Sequence, residues 1–66
     1  MMTNREVAMK FLLGGSVIYQ NHLCSVLKAY DDGTCKLMWL MQLETIYDHV
    51  PNKELIDEKD YVWGEE

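Results

Sequence analysis

Arginine is almost missing from this chain. Among 66 residues there is one, Arg5, and six bases stand against eleven acids for a net charge of −5. A general nucleic-acid binder draws its affinity from lysine and arginine set against phosphates, so the composition disfavours direct nucleic-acid binding. Proline is equally scarce, with Pro51 alone beside four glycines, while 48% of the residues are hydrophobic and 26% charged. That balance is too apolar for a disordered segment. Long apolar runs are also lacking: the longest, Leu37 to Met41, is far below the ~18 residues that span a bilayer. Phe11-Leu12-Leu13 is too short for the apolar region of a secretory leader, and Arg5 is offset by Glu6. The chain is therefore expected to be cytoplasmic, with no membrane partner. Its two cysteines, Cys24 and Cys35, are too few for a disulfide framework and read as reduced thiols.

A chain of this length buries only about 60% of the surface its unfolded form exposes. It has room for a single domain, 1–66, and none for a deep, walled-off active site. Three pieces are expected: an N-terminal helix over 3–13, a small β-barrel over 14–55, and an acidic C-terminal segment over 56–66.

Thr3-Asn4-Arg5-Glu6 fits a capping box, in which the threonine oxygen and the glutamate carboxylate each accept from the other residue's amide. Val7 and Phe11, with Met9 or Leu12, then recur at helical spacing. Gly14-Gly15 supplies a left-handed stop. Beyond Ser16 the period shortens. Val17-Ile18-Tyr19, Leu23 to Tyr30, Thr34 to Met41 and Thr45 to Val50 read as strands. Asn21-His22 has turn character, and Asp31-Asp32-Gly33 is a strong hairpin signal. Pro51 ends the fourth strand, Asn52 to Leu55 makes one helical turn, and Tyr61-Val62-Trp63 offers a last short strand.

Two hairpin registers compete. A two-residue turn gathers Cys24, Val26, Cys35, Leu37, Trp39 and Met41 on one face. A three-residue loop pairs Tyr30 with Thr34 and sets Leu37, Trp39 and Met41 beside Leu23, Leu27 and Ala29. The second grouping is the more consistently apolar and is preferred. Either way the cysteines lie about five or six rows apart, roughly 17–20 Å along the hairpin, beyond disulfide reach.

The order of these pieces resembles SH3-like small barrels of the Tudor and KOW type. The likeness rests on Gly14-Gly15-Ser16-Val17-Ile18-Tyr19, on the hairpin with its Asp31-Asp32-Gly33 tip, and on Val50-Pro51-Asn52-Lys53-Glu54-Leu55. It spans Gly14 to Leu55 and departs from the pattern in the Leu/Met-rich stretch Met38 to Leu43 and in the added helix. The resemblance implies a mostly-β, SH3-like small barrel of four or five antiparallel strands with a short N-terminal helix. It also implies an aromatic cage for methylated cations at Tyr19, Tyr30, Trp39 and Tyr47. A purely structural reading of these aromatics is core packing with the tyrosine hydroxyls at the surface.

Other chemistry is weakly encoded. His22, Cys24, Cys35 and His49 have the right donors for zinc but none of its compact pair spacings, so no metal and no cofactor is expected. Neither cysteine is accompanied by a nucleophile turn or an oxyanion loop, and buried thiols acting as small apolar side chains account for both. Gly14-Gly15 follows a helix rather than opening one, the wrong order for phosphate capture. No catalytic residue is assigned.

The acidic C-terminal segment is the most informative surface. Glu54, Asp57, Glu58, Asp60, Glu65 and Glu66 surround Tyr61 and Trp63. Tryptophan and tyrosine ringed by acids suit an anchor on a basic partner, with Asp31 and Asp32 adding charge. The competing reading has Trp63 packing back as a strand with the acids solvated. Met38 and Met41 around Trp39 suit either an adaptable contact face or core filling. The chain is expected to be a non-catalytic protein-interaction module, an adaptor or inhibitor, which in size and acidity resembles bacteriophage accessory proteins. Two alternatives stand beside it. One is an acidic nucleic-acid mimic built from Asp31, Asp32, Asp48, Glu54, Asp57, Glu58 and Asp60. The other is a self-assembling structural protein, a homo-oligomer.

Overall fold

Thr3 caps helix α1 (Asn4–Leu13). The Glu6 amide donates to the Thr3 hydroxyl at 3.2 Å, and the Thr3 amide donates to the Glu6 carboxylate at 2.9 Å. Met2, one residue before the cap, and Val7, four positions into the helix, are both buried in the core cluster. That placement is a hydrophobic staple, which sets the angle at which the chain enters the helix. At the other end Gly14 has φ +81°, and the amides of Gly14 and Gly15 both donate to the Lys10 carbonyl, at 2.9 and 3.0 Å. Gly15 is needed for space. A Cβ there would stand 2.6 Å from Cδ of Lys10, whose chain passes over it to reach Asp57.

The computed structural model describes residues 1–63. After α1 come β1 (Ser16–Tyr19), β2 (His22–Ala29), β3 (Thr34–Trp39), β4 (Ile46–Pro51), a 3₁₀ turn (Asn52–Glu54), β5 (Ile56–Asp57) and a second 3₁₀ turn (Glu58–Asp60). All pairings are antiparallel, and the strands lie in one sheet in the order β4-β3-β2-β1-β5. The protein is thus mostly β with one short N-terminal helix, which lies against β2.

The expected barrel is not closed. β4 and β5 are the two edges of the sheet, and no ladder joins them. β5 is only two residues long, too short to carry the sheet round. The fifth strand is Ile56–Asp57 rather than Tyr61-Val62-Trp63, which lies outside any strand. Pro51 closes β4 from within, as the last residue of an edge strand where a missing amide is tolerated. β3 ends at Trp39, short of the expected Met41. The Trp39 amide turns instead to the Thr45 carbonyl, at 3.1 Å.

The hairpin register combines both expectations. At the tip Ala29 pairs with Cys35, and the Tyr30 amide donates to the Thr34 carbonyl at 2.9 Å. The loop therefore has three residues, closed by Gly33 at φ +87°. A bulge then intervenes between Val26 and Lys28, after which Val26 pairs with Leu37 and Cys24 with Trp39. The extra residue, Leu27, reverses the alternation of everything before it in β2. Cys24, Val26, Cys35 and Leu37 are therefore buried together, while Leu27 is exposed and Leu23 half-buried. The preferred apolar grouping of Leu23 and Leu27 with Leu37 is overturned, although its three-residue loop is correct.

The core is one cluster: Met2, Val7, Val17, Cys24, Val26, Cys35, Leu37, Val50 and Leu55. At the hairpin tip, Asn52 ties three elements together. Its amide donates to the Gly33 carbonyl at 2.9 Å, and its buried side-chain nitrogen donates to Oδ1 of Asn4 at 2.9 Å. Gly14→Ala is expected to cost about 1 kcal/mol in denaturant unfolding, because a Cβ is penalised at its left-handed φ although nothing obstructs it. An unchanged midpoint would refute the conformational role assigned to that residue.

Candidate functional site

The chemistry-bearing side chains gather at opposite ends of β2. At one end are the β1–β2 turn and the β3–β4 loop; at the other is the Asp31-Asp32-Gly33 tip. Gln20 and Asn21 both have positive φ, 50° and 66°, which a two-residue hairpin turn demands. That turn sets Tyr19 opposite His22. The His22 ring stacks on Trp39, centroids 3.8 Å apart and planes within 9°. Its Nδ1 lies 3.1 Å from the Tyr47 hydroxyl, and Tyr47 meets Tyr19 edge-on at 5.2 Å.

Three of the four aromatics named for a cage, Tyr19, Trp39 and Tyr47, are thus brought together against the core. The fourth is not. Tyr30 donates its hydroxyl to Asp48 at 2.8 Å, stacks on His49 at 4.4 Å and lies under Nζ of Lys28 at 5.6 Å. The side chain that completes the first group is His22, which the sequence offers only as a metal ligand. Its imidazole covers one face of Trp39, the position where a cage would need room for its cation. A methylated cation would have to displace that ring.

The second group is polar. Thr34 donates its hydroxyl to Oδ1 of Asp32 at 2.6 Å, so its only proton is committed. His49 Nδ1, 3.2 Å from the Thr34 hydroxyl oxygen, is then the donor in that contact. His49 sits at φ +54°, in the irregularity where β4 shifts register against β3 between Cys35 and Leu37. The Thr34 hydroxyl bond holds the Asp32 carboxyl below its ordinary range, and the Tyr30 hydroxyl does the same for Asp48. The four metal candidates do not converge. His22 and His49 are engaged in different groups, and no three metal-binding side chains lie close enough to share an ion among the described residues.

Both thiols are free and buried. Burial pushes each of them up to about 11, so they are protonated and poorly nucleophilic at neutral pH.

The eight side chains expected to meet a partner divide between surfaces. Asp31 and Asp32 are at the hairpin tip. Tyr61 is at the far end of β2, donating its hydroxyl to Oδ1 of Asn21, roughly 26 Å away for eight residues of extended chain. Trp63 packs edge-on against Tyr61 at 4.6 Å and remains 51% exposed. Asp57 is engaged internally: Lys10 bonds it at 2.9 Å and Lys59 at 3.4 Å. Lys10 first, and the Lys59 amide after it, hold its carboxyl below the usual range. Glu54, Glu58 and Asp60 are exposed, while Glu65 and Glu66 lie outside the described residues.

The end of the sheet that holds Tyr61 also exposes Leu40, Met41 and Leu43 in the β3–β4 loop, and Val62. The Leu40 amide donates to the Leu23 carbonyl at 3.0 Å, which fixes that loop beside the start of β2. Leu40, Leu43 and Val62 were not among the expected contact residues. The signal for two of them was present in the sequence, as leucines where a polar loop would be usual.

The lowered carboxyls of Asp32, Asp48 and Asp57 are expected to make stability level above about pH 4, the unfolded aspartate range, and falling as pH drops through their folded values. Asp57→Asn should flatten part of that fall in urea titrations, and an unaltered acid limb would discount the Lys10 pair. Cys24 and Cys35 should react with a disulfide reagent at pH 7 only as fast as the fold opens, and freely in denaturant. Rapid labelling of the native chain would contradict their burial. Comparison with protein-family models, curated proteins and solved structures gives no match, so the site is read from its own geometry.

Proposed function

We propose that this chain is a non-catalytic protein-interaction module, an adaptor or inhibitor that engages a partner through the Tyr61–Trp63 end of its sheet. One observation carries the reading. Trp63, Val62, Met41 and Leu43 are all more than half exposed at that end of the sheet. Exposed apolar side chains concentrated at one place mark an interaction site more often than scattered ones do. Tryptophan and tyrosine are favoured anchors, and Tyr61 is held by Asn21 so that little ordering is lost on binding. Glu58 and Asp60 border the anchor, and a partner with lysine or arginine around an apolar patch complements them. Protonated thiols favour the absence of thiol catalysis.

The sheet also bears a finer likeness to SH3-like barrels. The return of β5 to the free edge of β1 supports reading the sheet as an open relative of such barrels. The mimic is the weaker alternative, since Asp32, Asp48 and Asp57 are taken up by internal bonds rather than spaced toward a groove. The likeness in size and acidity to bacteriophage accessory proteins makes a host protein the partner to try first.

The test is a pull-down from bacterial lysate with the intact chain, identification of the captured protein, and an affinity measurement with that protein purified. Trp63→Ala is expected to weaken the complex about thirtyfold, as a tryptophan anchor does. High salt should weaken it further through the acidic border. An affinity indifferent to Trp63→Ala would place the binding site elsewhere and end this reading.

A further inference from the structure

Helix α1 is apolar on two sides, and the fold uses only one of them. Val7 faces inward and is fully buried. At 3.6 residues per turn, Met9, Leu12 and Leu13 fall on the opposite side, flanked by Arg5 and Glu6. Leu12 is 72% exposed, Leu13 76% and Met9 46%. Apolar side chains clustered on an exposed helix face mark a surface that a partner can bury. This outer stripe borders a groove of about 330 Å³ that runs between Met9, Leu13 and the Lys10–Asp57 pair.

The charges along the stripe specify what would cover it. Lys10 is neutralised by Asp57, and Glu6 is committed to the capping box. Arg5 is exposed and makes no ion pair among the described residues. An occupant that brings apolar side chains for Met9, Leu12 and Leu13, and a negative group near Arg5, complements the stripe. The stripe supplies both itself. Its apolar residues match their own kind, and the carbonyl end of α1 is the negative pole of the helix dipole. Met9 lies midway between Arg5 and Leu13 in the sequence. An antiparallel pairing with Met9 against Met9 therefore lays each Arg5 beside the other helix's Leu13 and its terminal carbonyls.

We propose that a second copy of this chain covers the stripe: two α1 helices pack antiparallel about a two-fold axis beside Met9, with Arg5 of each at the C-terminal end of the other. The contact is isologous, as a two-fold dimer requires. It is small, in the class below about 1,200 Å², so the dimer is weak and depends on concentration. It leaves the Tyr61–Trp63 end of the sheet free, and it stands or falls independently of the partner proposed there.

Sedimentation equilibrium of the full chain over a wide dilution series tests the proposal. The mass is expected to rise from 7.8 kDa toward twice that value as concentration increases. Leu13→Glu should hold the chain monomeric throughout, and Arg5→Glu should weaken the dimer by about tenfold, the effect of roughly one charge at a helix terminus when both protomers change. All three outer side chains are exposed, and circular dichroism of each variant verifies that the fold is kept. A short bis-maleimide should join Met9→Cys to its own copy and leave Leu43→Cys, at the other end of the sheet, unjoined. A monomer at every concentration would overturn the proposal and leave the stripe to a different partner. So would a dimer that tolerates Leu13→Glu, or one in which Met9→Cys fails to cross-link, since either result puts the contact on another face.

Discussion

Opposite Cys35-Lys36-Leu37 on β3, strand β2 runs from Ala29 to Val26 with one residue too many, Leu27. A strand sends alternate side chains to opposite faces, so one inserted residue reverses the side on which every earlier residue of that strand lies. Because of it Cys24 and Val26 point the same way as Cys35 and Leu37, and all four enter the core with Val17 and Val50. Without the bulge, Leu37 would face Leu27, and the apolar residues of β2 nearest β1 would turn to the other surface. The Tyr61 end of the molecule inherits the same choice. Cys24 opposite Trp39 is the pairing that brings His22, Trp39, Tyr47 and Tyr19 into one group.

The helix is attached to this sheet by contacts that differ in kind at its two ends. At its start the attachment is apolar and hydrogen-bonded: Met2 and Val7 in the core, and Asn4 joined to Asn52 beside the hairpin tip. At its end it is ionic, where Lys10 crosses over Gly15 to Asp57 on β5. The two glycines therefore do separate things, Gly14 by accepting a left-handed turn and Gly15 by leaving space for a lysine chain. Because Asp57 is used there, it is withdrawn from the acidic surface. Among the described residues, the exposed carboxylates next to Tyr61 and Trp63 in the chain are Glu58 and Asp60.

Local signals were readable where the physics is local. The capping box at Thr3 and Glu6, the helix stop at Gly14, and the three-residue hairpin loop closed by Gly33 each depend on residues within four positions of one another. The strand bounds were legible to within a few residues for the same reason. Leu27 was not readable as a bulge, because it looks like any apolar strand residue until the opposite strand is counted. Ile56–Asp57 was missed as a strand because two residues have no period of their own, and they become a strand only by lying beside Val17 and Ile18. Of the aromatics named for a cage, Tyr19, Trp39 and Tyr47 lie together as one group against the core. Tyr30 went elsewhere because the register turned it toward Asp48 and His49.

By itself the amino-acid sequence determined that the chain is mostly β with a short N-terminal helix, the order of that helix and the first four strands, and the acidic balance. These follow from composition, short-range periodicity and turn chemistry, which act within a few residues. The tertiary structure alone decided which face of β2 is inside, that the sheet stays open, that His22 lies on Trp39, and that Asp57 belongs to Lys10. Each of those joins residues far apart in the chain, and is settled by which pairing buries the most apolar surface without leaving charges or backbone groups unpaired.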